Sequence, residues 1–124
     1  MAAFPKADPA AVAEYESLLP DDPRVERRRM FVHPCAFVSG NMFMGVFGDG
    51  VFVRLGPEDR AILLAEDGAA PFDPMGGRPM REYVTLPSEW RYEPAAAEQW
   101  VARSLTYMSS LPPKVKKPGK GRTR

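Results

Sequence analysis

Two glycines and two arginines, Gly76, Gly77, Arg78 and Arg81, fall within the run Asp73-Pro74-Met75-Gly76-Gly77-Arg78-Pro79-Met80-Arg81-Glu82-Tyr83, and those residue types together suit the capture of an anion. Glycine opens left-handed backbone conformations in which successive N–H groups converge, and a guanidinium fork matches a phosphate or carboxylate. Pro74 and Pro79 each fix one backbone angle, so such a loop holds one shape. The candidate ligand or partner loop is therefore Met75, Gly76, Gly77, Arg78, Arg81 and Tyr83. It differs from a nucleotide-phosphate loop in two ways: it lacks the following lysine, and it leads into a strand instead of a helix N-terminus. A structural reading of the same residues is preferred. In it Arg78 or Arg81 pairs with Asp73 or Glu82 and pins the loop to the sheet, a contact worth about 0–1 kcal/mol if exposed and more if partly buried.

The sole histidine lies beside the sole cysteine in His33-Pro34-Cys35. Strand positions two apart point the same way, which allows contact, and a reactive thiolate would further need a cation and partial exposure. No Asn, Asp or Glu lies close in sequence to orient the imidazole, and one His with one Cys falls short of a four-ligand zinc site. A packed cysteine and a surface histidine are the better expectation. Arg27, Arg28 and Arg29 with Arg54 offer a basic face for nucleic acid, but alternation sends Arg28 away from Arg27 and Arg29, and charges on an edge strand more often block aggregation. Phe37, Phe43, Phe47 and Phe52 read as core rather than as a base-stacking platform. No catalytic residue, metal or cofactor is assigned, and an enzyme is not expected.

The elements that must position these residues are bounded by a chain of 124 residues with 44% hydrophobic content, enough for one domain with one core. Every apolar run breaks well before the roughly 18 residues of a membrane span, and the N-terminus has no signal-peptide core. With one cysteine there is no internal disulfide framework, and a cytoplasmic location is expected. The net charge of +1 conceals an asymmetry: Lys114, Lys116, Lys117, Lys120, Arg122 and Arg124 close the chain without an acidic residue, so residues 1–113 carry 11 basic against 16 acidic groups. The expected organisation is a domain over 1–113 and a disordered basic tail over 114–124. Weak, non-specific nucleic-acid binding is one use of that tail; a solubilising terminus is the preferred one.

Asp8 suits an N-cap and Pro9 a first helical position, with Val12, Tyr15 and Leu19 at helical spacing after them. Pro20 and Pro23 stop that helix. Four runs rich in β-branched and aromatic residues, 25–32, 35–39, 42–47 and 51–55, read as strands, with tight turns at Ser39-Gly40-Asn41 and Gly48-Asp49-Gly50. Strict alternation would place Phe43, Gly45 and Phe47 on one side and Met42, Met44 and Val46 on the other, with Val51, Val53 and Leu55 opposite Phe52 and Arg54. Pro57, Glu58 and Asp59 open a second helix anchored by Ile62 and Leu63 or Leu64; 66–79 form an ordered covering loop held by Pro71, Phe72 and Met75; 81–87 complete the sheet. Pro94 opens a last helix with a stripe of Ala97, Trp100, Val101, Ser104, Leu105 and Met108. The fold class is α+β in the order α-β-β-β-β-α-β-α, with about five antiparallel strands. A sheet apolar on both faces needs covering twice, by its own helices and by a second subunit, so a homodimer is expected.

Arg29-Met30-Phe31, the Gly40-Asn41-Met42-Phe43-Met44-Gly45 core, Val53-Arg54-Leu55, Asp59-Arg60 and the run from Pro71 to Tyr83 resemble the TfoX N-terminal domain family over about residues 10–113. The resemblance implies a two-layer α+β domain similar to secretion-chaperone-like folds, in which dimers are common. In the family's named members, the competence regulators also called Sxy, a helical C-terminal domain follows and the protein acts as a transcriptional co-activator. Here a 13-residue stretch follows Leu111, so a stand-alone N-terminal domain is expected and the role of the helical domain does not transfer. The expected function is a non-enzymatic protein-interaction or regulatory module with an unknown protein partner. The alternatives are small-anion binding at the Gly76–Arg81 loop and nucleic-acid binding through the tail.

Overall fold

The Asp8 carboxylate accepts a hydrogen bond from the Ala10 N–H at 3.1 Å, and Pro9 supplies a preset backbone angle, so the first helix, α1 (Pro9–Leu18), starts where the sequence places it. The computed structural model describes residues 6–30, 33–74, 76–77 and 79–112. After α1 come β1 (Val25–Met30), β2 (His33–Val38), β3 (Asn41–Phe47) and β4 (Gly50–Arg54), then α2 (Pro57–Leu64), β5 (Ala70–Pro71), β6 (Tyr83–Thr85), a 3₁₀ helix at Ser88–Tyr92 and α3 (Pro94–Ser110). The strands form one antiparallel sheet in the order β1-β2-β3-β4-β6-β5. The α+β architecture is as expected, with six strands where about five were read. The additional one, β5, has only two residues, too few to leave a periodic signal in sequence, and it pairs with β6 at the end of the sheet.

Helices α1 and α3 lie across the face of the sheet made by Ala36, Val38, Val51, Val53 and Val84, and bury Ala11, Tyr15 and Leu18 from α1 and Ala97, Trp100, Val101 and Met108 from α3 against it. Helix α2 is anchored by Leu63 alone; Ile62 is 52% exposed, so the expected pair of anchors is corrected to one. Eight residues give α2 barely two turns, and one buried position is what its short contact with the sheet requires.

Strict alternation fails at one point in β3. Ala36 pairs with Met44 and Phe37 with Met42, which leaves Phe43 as an additional residue between two consecutive ladder pairs. This is a β-bulge, and it rotates the strand by one position. Met42 falls on the face away from the helices with Cys35 and Phe52, whereas Phe43, Met44 and Val46 all pack under the helices. The sequence assignment of Phe43 and Met42 to opposite sides holds, but each shares its side with the other's expected neighbours. Side chains on both sides secure the bulge. The buried hydroxyl of Ser104, on α3, lies 2.9 Å from the Phe43 carbonyl and 2.6 Å from the Arg54 carbonyl and shares its proton between them. On the opposite face the Tyr83 hydroxyl donates to the Met42 carbonyl at 3.2 Å.

Two further polar groups lie under α1. Glu14 meets Arg91 of the 3₁₀ helix at 3.6 Å, and Arg91 also donates to the Asp49 carbonyl in the β3–β4 turn at 3.2 Å. Burial raises the Glu14 pKa, and the Arg91 charge draws it back. Tyr15 is 1% exposed, and its hydroxyl has no hydrogen-bond partner among the described residues. Burial pushes its phenol up to about 12, with the Cys35 charge adding and Arg27 opposing.

Replacing Ser104 by Ala should destabilise the domain by about 1–3 kcal/mol in urea unfolding, because two carbonyls lose their donor inside the core. For Tyr15 the sign runs toward alkali: an unfolded tyrosine ionises near its ordinary value of 10.0, the folded one near 12, so stability present below the first is lost as pH rises toward the second. Tyr15→Phe should therefore lie within about 1 kcal/mol of wild type at neutral pH and lose stability less steeply above pH 10 in parallel melts, since an unbonded hydroxyl contributes little.

Candidate functional site

The face of the sheet away from the helices carries a second apolar cluster: Cys35, Met42, Phe52 and Phe72 are buried, and Phe37, Phe47, Met80 and Tyr83 pack around them. Its cover comes from the same chain. Phe72 lies at the start of the loop that runs to β6, and its ring stacks on Phe52 at 4.1 Å and 15°. Phe47 meets Phe72 edge-on at 5.7 Å, and Tyr83 meets Phe52 edge-on at 5.6 Å. Such pairs add about 0.5–1.5 kcal/mol each beyond the area they bury.

Gly45 makes the stack feasible. A Cβ at that position would lie 2.8 Å from Phe52 Cζ and 3.0 Å from Cys35 Cβ, so only glycine lets the Phe52 ring lie flat across β3. The loop is then closed on itself by backbone. The Met80 N–H donates to the Phe72 carbonyl at 2.8 Å, and the Phe72 N–H to the Tyr83 carbonyl at 3.1 Å. At its tip Gly76 and Gly77 have φ of +69° and +132°, the left-handed geometry that their residue type predicts. Among the described residues nothing lies within 4 Å of where a Cβ would stand on either, so glycine is needed there for its backbone angles rather than for space.

The Gly77 N–H donates to both carboxylate oxygens of Asp73, at 3.0 and 2.8 Å, and the Gly76 N–H to the Asp73 carbonyl at 3.3 Å. An N–H expected to be open to an external anion is thus occupied by the loop's own carboxylate.

Beside the loop, Arg54 of β4 contacts Glu82 Oε1 through both Nε and a terminal nitrogen, each at 2.6 Å, and its guanidinium sits 5.7 Å from the Tyr83 ring centre. Glu82 therefore pairs with Arg54, where a pairing with Arg81 was among those expected; the expected pairing of Arg78 with Asp73 or Glu82 lies outside the described residues. The ladder decides this: Arg54 is opposite Tyr83 across β4 and β6, whereas Arg81 precedes β6 and its side chain is exposed. Arg81 is held by its backbone, whose carbonyl accepts from Arg60 of α2 at 2.8 Å. Arg54, Met80, Arg81, Glu82 and Tyr83 line an open groove of about 350 Å³. Burial raises the Tyr83 pKa, against the pull of Arg54. Of the expected loop residues, the structure brings Arg81 and Tyr83 to this groove and Gly76 and Gly77 to the projecting tip; Met75, Arg78 and residues 114–124 lie outside the described residues.

Arg54, Phe52 and Arg60 were not placed at this site by sequence. Phe52 and Arg54 are two positions apart on one side of β4, and only its pairing with β6 aligns them with Thr85 and Tyr83. His33, expected at the surface, is instead 4% exposed with its ring 4.8 Å from Phe47, because β2 begins inside the sheet opposite β1. Among the described residues no group of three or more His, Cys, Asp or Glu side chains is arranged to hold a metal ion. The basic face is dispersed as alternation requires: Arg27 pairs with Glu16 of α1, while Arg28 meets Glu26 at 3.1 Å and lies over Phe37. No helix of the described residues is long and apolar enough to cross a membrane.

A β3 strand with a compensated bulge, an α3 stripe and a long strapped crossover ending in Arg-Glu-Tyr define a small α+β domain whose most distinctive part is the crossover. The model of the TfoX N-terminal domain matches residues 17–108, and the chain belongs to that family. No curated protein and no solved structure matches it.

Removing the central ring of the strap should separate its role from that of the core. Phe72→Ala is expected to cost about 3 kcal/mol, and amides of residues 72–83 should exchange much faster than those of α3. Uniform acceleration across both segments would show that the strap is not a separate unit.

Proposed function

We propose that this domain is a non-enzymatic protein-interaction module, with a regulatory role of the kind its resemblance to competence regulators implies, and that it recognises a protein partner through the loop of residues 72–83 and the adjoining groove. The observation that carries this reading is the mechanical design of the loop. Both its ends are clamped, by the Phe52–Phe72 stack and by the hydrogen bonds between Phe72, Met80 and Tyr83, while its glycine tip is bonded only to the loop's own Asp73 among the described residues and is open on its Cα side. A preorganised projecting segment loses little conformational freedom on binding, which favours its use in recognition. The groove beside it offers an exposed guanidinium at Arg81, a half-buried Tyr83 ring and the Met80 side chain, chemistry suited to a protein surface with an acidic group and an apolar neighbour.

The anion-binding alternative is weakened by the Asp73 carboxylate, which already takes the Gly77 N–H. Nucleic-acid binding by the sheet is weakened by the acidic partners of Arg27, Arg28 and Arg54, which reduce the local positive field.

Incorporating a photo-crosslinking amino acid at Arg81, and as a control at the exposed Glu98 on α3, tests the assignment in cells of the native host. A discrete adduct from position 81 that position 98 does not give is expected. No adduct, or the same adducts from both positions, would remove the loop from consideration as a recognition surface.

A further inference from the structure

The strap removes the reason for expecting a second subunit on the sheet's second face, but the β1 edge remains. Among the described residues strand β1 pairs only with β2, so along its outer side the main chain is open over residues 26–30; the Val25 N–H is already given to the Asp22 carbonyl at 3.0 Å. Its side chains divide by alternation. Val25, Arg27 and Arg29 lie on the helix side, opposite Val38, Ala36 and Pro34; Glu26 and Arg28 lie on the other, opposite Phe37 and Cys35.

We propose that this edge pairs antiparallel with the same edge of a second copy of the chain, about a two-fold axis at Arg27, to give one continuous sheet through a homodimer. A two-fold axis perpendicular to the sheet keeps each face on its own side, so only registers that pair residues of like parity are allowed. Centring on Arg27 sets Glu26 opposite Arg28 of the second copy and Arg28 opposite its Glu26, two cross-strand pairs of opposite charge. Moving the centre to the next allowed position on either side sets Glu26 against Glu26 or Arg28 against Arg28. Like charges directly opposite are destabilising, so the charge pattern selects the Arg27-centred register.

The helix side of the same register is complementary as well. Val25 comes opposite Arg29 of the second copy, and Val25 borders a groove of about 330 Å³ whose other walls include Glu16, Asp21, Asp22 and Arg27. Arg29 is exposed and makes no ion pair among the described residues, so the pairing brings an unneutralised guanidinium toward Asp21, the carboxylate of that groove not already engaged as Glu16 is by Arg27 and Asp22 by Arg24. The two Arg27 side chains that meet at the axis each carry their own neutralising partner, Glu16 of α1. Glu26 and Arg28, which contact each other within the single chain with side chains 58% and 49% exposed, are free to exchange that contact for the one across the axis.

Sedimentation velocity over a concentration series reads the assembly, and charge reversal reads the register. Wild type is expected to dimerise; Glu26→Arg and Arg28→Glu should each shift the mass toward monomer, and the double exchange should restore the dimer. An unchanged far-ultraviolet spectrum in each variant confirms that the domain itself is folded. Arg27→Cys provides an independent measurement, because residues facing each other across an antiparallel pair have Cα atoms about 4.5–5.5 Å apart, within disulfide range. It should give a covalent dimer on mild oxidation, and Glu26→Cys much less. A wild type that stays monomeric at all concentrations overturns the proposal. So does a dimer indifferent to both single reversals, or a folded double variant that stays monomeric.

Discussion

The additional residue in β3 sets the shape of the molecule. Phe43 interrupts the pairing of β2 with β3, and by doing so sends two consecutive side chains, Phe43 and Met44, to the helix side and Met42 to the other. A bulge leaves main-chain carbonyls that the ladder does not satisfy, and burying them unsatisfied would cost about 1–3 kcal/mol each. This chain meets the requirement from both sides, with Ser104 on the Phe43 carbonyl and Tyr83 on the Met42 carbonyl. Each donor belongs to the last third of the sequence, so β3 is locked only when α3 and β6 have docked.

The same donors tie the two layers to the crossover. Tyr83 begins β6, donates to Met42, packs edge-on against Phe52 and lies beneath the Arg54 guanidinium, so one side chain joins the bulge, the aromatic stack and the ion pair. The Arg54–Glu82 contact is partly buried, which makes its loss more consequential than that of the exposed pairs elsewhere on the surface. The crossover loop is thereby held at both ends, and among its described residues Gly76 and Gly77 project from it. Recognition by a rigid projection and assembly through the β1 edge use opposite ends of the sheet, so the two proposals are sterically independent.

Much of the framework was legible in the residues. Asp8 and Pro9 start α1, Pro57 and Pro94 start α2 and α3, and the stripe ending at Met108 faces the sheet, because caps, prolines and helical spacing act over a few neighbouring positions. The positive backbone angles of Gly40, Gly48, Gly76 and Gly77 were equally local consequences of residue type. Phe72 was recognisable as an apolar anchor of the covering loop, though not as the partner of Phe52.

The sequence by itself determined the order of the elements apart from β5 and the 3₁₀ helix, the helix starts, the faces of β4 and the family to which the chain belongs. Tertiary structure alone decided the bulge, the burial of His33, the choice of Arg54 as the partner of Glu82 and the closure of the second apolar face by the chain's own strap. The division has one physical cause. Caps, turns and periodicity are set by residues a few positions apart, whereas the bulge depends on Ser104, 61 residues from Phe43, and the ion pair on two groups 28 residues apart, whose meeting is fixed only when β4 and β6 align.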